Sequence, residues 1–151
     1  MSNFSYSDIE PAIREKLARG GKVRIKPHGT SMLPMIRQGL DEVELVSACG
    51  RLKKYDIPFY KRAGGQFVLH RIVKVKKDSY VLCGDNQTNY EYGITDDMII
   101  GVVCGYIRDG KYISVEDKEY RKYSKSHVAK QWRKRVYLGV SARIKRVLKI
   151  K

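Results

Sequence analysis

Cysteine is scarce in this chain, with three residues in 151, and Cys49, Cys83 and Cys104 form no C-x-x-C pair. An odd count without paired spacing excludes a disulfide framework and a cysteine-ligated metal centre, so the three are expected to be reduced thiols of the core. Long hydrophobic runs are missing as well. The longest nearly apolar stretch, Met98 to Ile107, is about ten residues and contains two glycines, whereas a helix needs roughly 20 apolar residues to span a bilayer. The first residues, Met1-Ser2-Asn3 followed soon by Asp8 and Glu10, lack the basic-then-apolar layout of a secretory signal. The expected compartment is the cytoplasm, either free or held peripherally at the inner face of the membrane. Acidic residues are also few, 16 against 31 Lys and Arg, for a net charge of +15.

That charge is uneven. From Lys118 to Lys151 there are thirteen Lys and Arg against one acid, Glu119, so nearly all of the excess sits in the last quarter. Such asymmetry points to an anionic partner for that segment. The length and an apolar fraction of 42% suit one folded unit with appendages. Three parts are expected: an N-terminal helix in 1–21, a β domain in 22–117 and a basic helical tail in 118–151.

Ser7 and Glu10 have the spacing of a capping box, and Ile9, Ile13 and Leu17 share one helical face, which predicts a helix over about 8–19 ended by Gly20-Gly21. Val23 to Lys26 alternates with period two and predicts a strand leading to a bend at Gly29-Thr30-Ser31. Met32 to Ile36 is expected to form a short turn or helix stopped at Gly39. Further strands are expected at 42–45, 57–60, 66–75, 80–83 and 98–107, with turns at 63–65, 77–79 and 109–110. Short strands at this spacing predict a mainly β, barrel-like or folded-sheet domain. From about Ser126, Val128, Trp132, Val136, Val140, Ile144 and Val147 or Leu148 recur every three or four residues, while most Lys and Arg lie elsewhere on the wheel. This is a basic amphipathic helix. Beside the plain reading of a helix packed on the domain, it suits anionic lipid headgroups, ahead of an acidic protein or nucleic acid.

Two residues carry chemistry. Ser31 stands on a glycine-marked bend after a strand, and His70 lies inside Val68-Leu69-His70-Arg71-Ile72-Val73, where alternation places it opposite Leu69 and Arg71. A serine hydroxyl becomes a nucleophile only when a nitrogen base takes its proton, with donors nearby for the oxyanion. His28 is expected at the rim of such a site and His127 in solvent. No metal and no cofactor is expected.

The order of Gly29-Thr30-Ser31-Met32-Leu33-Pro34, Gly39, Val68 to Val73, Gly84-Asp85-Asn86 and Ile100-Gly101-Val102-Val103 resembles the signal peptidase I and LexA-type superfamily of serine peptidases over residues 22–107. The His70-Arg71 pair is similar to the endoplasmic-reticulum and archaeal type, whose base is histidine; the bacterial enzymes and the repressors use lysine. The resemblance implies a signal peptidase/LexA-like fold with Ser31 as nucleophile and His70 as general base, and leaves Lys61 and Lys74 as surface lysines. A supporting carboxylate is implied in or just after the Gly-Asp-Asn box. Histidine-type relatives often carry an Asp-Asp pair there, whereas this chain runs Gln87-Thr88-Asn89-Tyr90-Glu91, which leaves Asp85 and Glu91 as alternatives. The oxyanion hole would use the Ser31 N–H with Gly29 or Thr30 nearby, and the box from Met32 through Pro34 to Met35 would help form apolar substrate pockets while contributing to the core.

The missing membrane anchor sets this chain apart from signal peptidases. The function expected is an endopeptidase that cuts a peptide or protein substrate in trans, since only about 20 residues precede the core and leave no cleavable linker. The alternative is a non-catalytic binding module of the same fold that uses its basic helix on anionic membrane or nucleic acid.

Overall fold

The computed structural model describes residues 5–149. Helix α1 (Tyr6–Ala18) is capped two residues earlier than the expected Ser7/Glu10 box: the Ser5 side chain accepts from the helix N-terminus and Asp8 returns the bond to the Ser5 N–H. Asp8 stands three residues after Ser5, the spacing that reciprocal capping requires. Glu10 is thereby left to pair with Lys61 at 2.8 Å and Arg14 at 2.9 Å. Ile13 and Leu17 are buried, as their spacing predicts.

Among the described residues, nine strands follow in two antiparallel sheets. They are β1 (Val23–Ile25), β2 (Glu42–Val46), β3 (Pro58–Lys61), β4 (Phe67–Leu69), β5 (Arg71–Val75), β6 (Tyr80–Cys83), β7 (Glu91–Ile94), β8 (Ile99–Arg108) and β9 (Lys111–Ser114). The first sheet runs β1-β2-β8-β3-β4, with β9 also paired to β8, and the second runs β5-β6-β7. Helix α2 (Lys118–Leu148) completes the chain. The fold is therefore mixed rather than mainly β: two helices flank two open antiparallel sheets, neither closed into a barrel.

The expected strand over 66–75 is broken at His70. β4 pairs with β3 in the first sheet, Phe59 opposite Leu69, while β5 pairs with β6 in the second, Arg71 opposite Cys83. His70 is thus the residue at which the chain passes between sheets.

Alternation along the second sheet sorts its side chains. Ile72, Tyr80, Leu82 and Ile94 pack with Tyr60 and Ile99 of the first sheet. Val73, Val81 and Cys83 point the other way and are covered by Val128 of α2. Both faces of β6 are covered, so all four of its residues are buried.

Helix α2 begins at Lys118, at the expected boundary of the basic helical segment and about eight residues ahead of the amphipathic pattern that starts near Ser126, because Tyr120 and Ser124 extend its buried face ahead of Val128 and Gln131. The first half of the basic segment is therefore part of the packed domain rather than a tail. Beyond Gln131 it is exposed apart from Ser141. No helix among the described residues is long and apolar enough to cross a membrane.

After the Gly29-Thr30-Ser31 bend the chain makes turns rather than a helix. Met32, Met35 and Ile36 enter the first core, and fully buried Asp41 fixes the return, accepting from the Arg37 N–H at 2.9 Å and from both the Arg37 and Arg108 guanidiniums. Burial opposes its charge, but the two arginines win and hold the carboxyl far below its ordinary range. Of the cysteines, Cys83 is buried, with its thiol pushed up to about 11 by that burial. Cys104 is half-buried and Cys49 is exposed, so the expectation of three core thiols fails at Cys49, which lies in the connection after β2.

Candidate active site

Ser31 follows β1 on a loop that Gly29 turns with φ of +89°, a left-handed conformation that costs glycine little. The Gly84-Asp85-Asn86 turn clamps this loop. The Asn86 N–H donates to the Ser31 carbonyl at 2.8 Å, and Asn86 Nδ2 donates to the Thr30 carbonyl at 3.2 Å. The approach is so close that a Cβ on Gly84 would stand 2.6 Å from the Ser31 carbonyl oxygen. Among the described residues, the N–H groups of Gly29, Thr30 and Ser31 donate to no protein acceptor, so they remain available to an oxyanion.

His70, 4% exposed at the seam between the sheets, presents Nδ1 to Glu91 Oε2 at 3.5 Å and to the Tyr60 hydroxyl at 3.3 Å. Glu91 is itself held in place: Tyr60 Oη donates to it at 2.6 Å, and Arg62 approaches with Nε at 2.7 Å and Nη2 at 2.8 Å. Burial works against the Glu91 charge, yet Arg62 and Tyr60 keep its carboxyl below the usual range. An ionised acceptor facing Nδ1 assigns the proton to that nitrogen and leaves the Nε2 lone pair free. Burial, assisted by the nearby Arg62 charge, lowers the His70 pKa against the opposing pull of Glu91, so the ring is a neutral base at pH 7.

The two carboxylates left open by the sequence are thus separated in space. Glu91, half-buried at the head of β7, faces His70. Asp85 points inward, its two oxygens each 2.8 Å from Arg71 Nε and Nη2, with both side chains fully buried. Arg71 continues to Ser124 Oγ at 2.8 Å and Tyr120 Oη at 3.3 Å on α2. His127 is not in solvent as expected: its Nε2 lies 2.7 Å from the Asp85 carbonyl oxygen. Gln131 Nε2 donates to the carbonyls of Gly84 at 2.7 Å and Gln87 at 3.0 Å. The turn that clamps Ser31 is therefore itself held by one face of α2.

Ser31 and His70 line the same cavity of about 240 Å³, together with His28, Gly29, Met32 and Arg62. They are not hydrogen-bonded to each other among the described residues. His28 sits at the rim. Thr30 lies outside the cavity, its carbonyl taken by Asn86. Pro34 is exposed and lines a different depression with Met35, Tyr106 and Arg108, so it is not part of the Ser31 cavity. Past His70 the surface continues as an open trough lined by Arg62, Gln87, Glu91 and, from α2, Lys134 and Leu138. Among the described residues no group of three His, Cys, Asp or Glu is placed to hold a metal ion.

Tyr60, Arg62 and Gln131 escaped the sequence reading. Tyr60 and Arg62 stand at i and i+2 of an extended segment and so share a face, a signal that gains meaning only once His70 and Glu91 are known to meet that face. No family model matches this chain, and neither a curated protein nor a solved structure was found similar to it.

Proposed function

We propose that this chain is a serine endopeptidase of signal peptidase/LexA-like kind, with Ser31 as nucleophile, His70 as general base and Glu91 as the carboxylate that orients the base. One observation carries the reading: residues from separate motifs, Ser31 and His70, line one cavity, and the histidine engages Glu91 and Tyr60 through Nδ1, which leaves Nε2 as the basic nitrogen. Ser31 Oγ attacks the scissile carbonyl carbon while His70 Nε2 takes its proton. The Ser31 N–H donates to the oxyanion. His70 then returns the proton to the leaving amine as the C–N bond breaks, and a water activated by the same nitrogen hydrolyses the acyl-serine. Acyl transfer of this kind uses no cofactor. Proton transfer requires Oγ and Nε2 at about 3 Å or one bridging water.

The open cavity and trough suit an extended peptide as substrate. Exposure of the chain to a diverse peptide library, with products read by mass spectrometry, tests the reading: cleavage is expected from the wild type and absent from S31A and H70Q. The alternative, a non-catalytic binding module, draws on the missing hydrogen bond between Ser31 and His70, and silence of the wild type on every peptide would favour it.

A further inference from the structure

A second concavity lies away from Ser31, between the outer face of the second sheet and α2. Its walls carry Lys54, Lys74, Lys76, Lys125 and Arg135, and no acidic residue lines it. Between these cations stand Tyr55, Tyr90, Tyr92 and Trp132. Lys54 lies 5.2 Å from the Tyr55 ring centre, Lys76 5.4 Å from Tyr92 and Arg135 4.1 Å from Tyr90. The rings hold several of the cations without neutralising them.

The groove continues into the unpacked half of α2. Beyond it Val136, Val140, Ile144 and Val147 are 45%, 49%, 55% and 67% exposed, and Trp132 at the groove is 58% exposed. At about 100° per residue, Lys125, Trp132, Val136, Val140, Arg143 and Val147 fall within about 80° of helix surface, with Ile144 about 40° beyond Val140 and Arg135 about 60° to the other side of Trp132. The cationic groove and the aliphatic stripe are thus one continuous face, with a tryptophan where they meet. Singly exposed apolar residues are ordinary, but a stripe four turns long beside unneutralised cations is not.

We propose that this face docks on an anionic lipid bilayer, with Lys54, Lys74, Lys76 and Arg135 on the headgroups and the stripe from Trp132 to Val147 in the acyl boundary. Single-stranded nucleic acid would find cations and ring faces in the groove, but it offers nothing to the aliphatic stripe, which decides between the two. The inference rests on this surface and not on the peptidase reading.

Trp132 is the only tryptophan, so its emission reports on the face directly. Full-length protein is titrated with vesicles of pure phosphatidylcholine and of an equal mixture of phosphatidylcholine and phosphatidylglycerol. A blue shift and co-sedimentation are expected with the mixture and not with the neutral vesicles. K54Q/K74Q/K76Q should weaken binding by about fivefold per lysine, and V136D/V140D should abolish the shift. S31A should bind as the wild type does, which separates this test from that of the peptidase. Absence of binding to the mixed vesicles overturns the proposal. So does tight binding of a poly-dT oligonucleotide that survives in V136D/V140D, or self-association in which the stripe is covered by a second copy.

Discussion

Opposed influences act on His70. Burial and the Arg62 charge favour its neutral form, Glu91 favours its cationic form, and the balance falls below the ordinary imidazole value of 6.5. The acid limb of the proposed peptidase activity should therefore inflect below pH 6.5, because the base is lost only when pH falls through that lowered value. The same depression makes the unfolded chain bind the extra proton first. Stability should decline as pH falls from about 6.5 toward the folded value, a slope that H70Q removes. E91Q deletes the charge that steadies the Nδ1 proton: kcat should drop on the order of 10²–10⁴-fold, and the acid limb should move further down in a pH-rate profile. Gly84 allows another test at single-residue resolution. In G84A the new methyl meets the Ser31 carbonyl at 2.6 Å, which should cost about 1–3 kcal/mol in urea unfolding and displace Ser31, so that the proposed peptidase activity falls even where the protein is fully folded.

At the level of elements, the crossing at His70-Arg71 divides labour between two neighbours, since one sits at the cleft and the other is fully buried. Arg71 and Asp85 form a pair sealed by Tyr120, Ser124 and Tyr123 of α2. Removing one partner strands the other charge, so D85A should lose about 3–5 kcal/mol, read by chemical denaturation, while R71M/D85L should lose less. This pair explains both what the sequence made legible and what it hid. Local signals carried through where they depended on neighbours: Ile13 and Leu17 on α1 and the strand before Ser31. They failed where distant segments decide. An apolar run such as Val68 to Val73 contains no sign that its halves join different sheets. Asp85 and Glu91 are equally plausible orienting groups for His70 until the turn aims one inward and β7 brings the other to the ring. The β7 and β9 strands were missed because Glu91-Tyr92-Gly93-Ile94 and Lys111-Tyr112-Ile113-Ser114 are too short and polar for alternation to stand out. The amphipathic pattern of α2 stands out only from about Ser126, because its buried face before that is made of Tyr120 and Ser124, which do not look apolar.

For the whole molecule, the long helix makes the charge asymmetry a matter of two halves with different work. Its first half supplies Ser124, His127, Val128 and Gln131 to the core and to the turn behind Ser31. A chain ending before Lys118 loses those partners: Arg71 keeps its ion pair with Asp85 but not its bonds to α2, and the carbonyls of Gly84 and Gln87 lose Gln131. That truncation should unfold cooperatively at lower urea and cleave no peptide. A chain ending after Leu138 keeps every one of these contacts, along with Arg135 on the Tyr90 ring, and the described residues it removes are exposed or, at Ser141, half-buried. Its stability should match that of the full chain within about 0.5 kcal/mol. Soluble peptides should be cut at the same rate, whereas affinity for anionic vesicles should fall with the loss of Val140, Ile144 and Val147. Equal loss of folding in both truncations would mean that the distal half is structural after all. Loss of vesicle affinity alone would separate a catalytic body from the surface that places it.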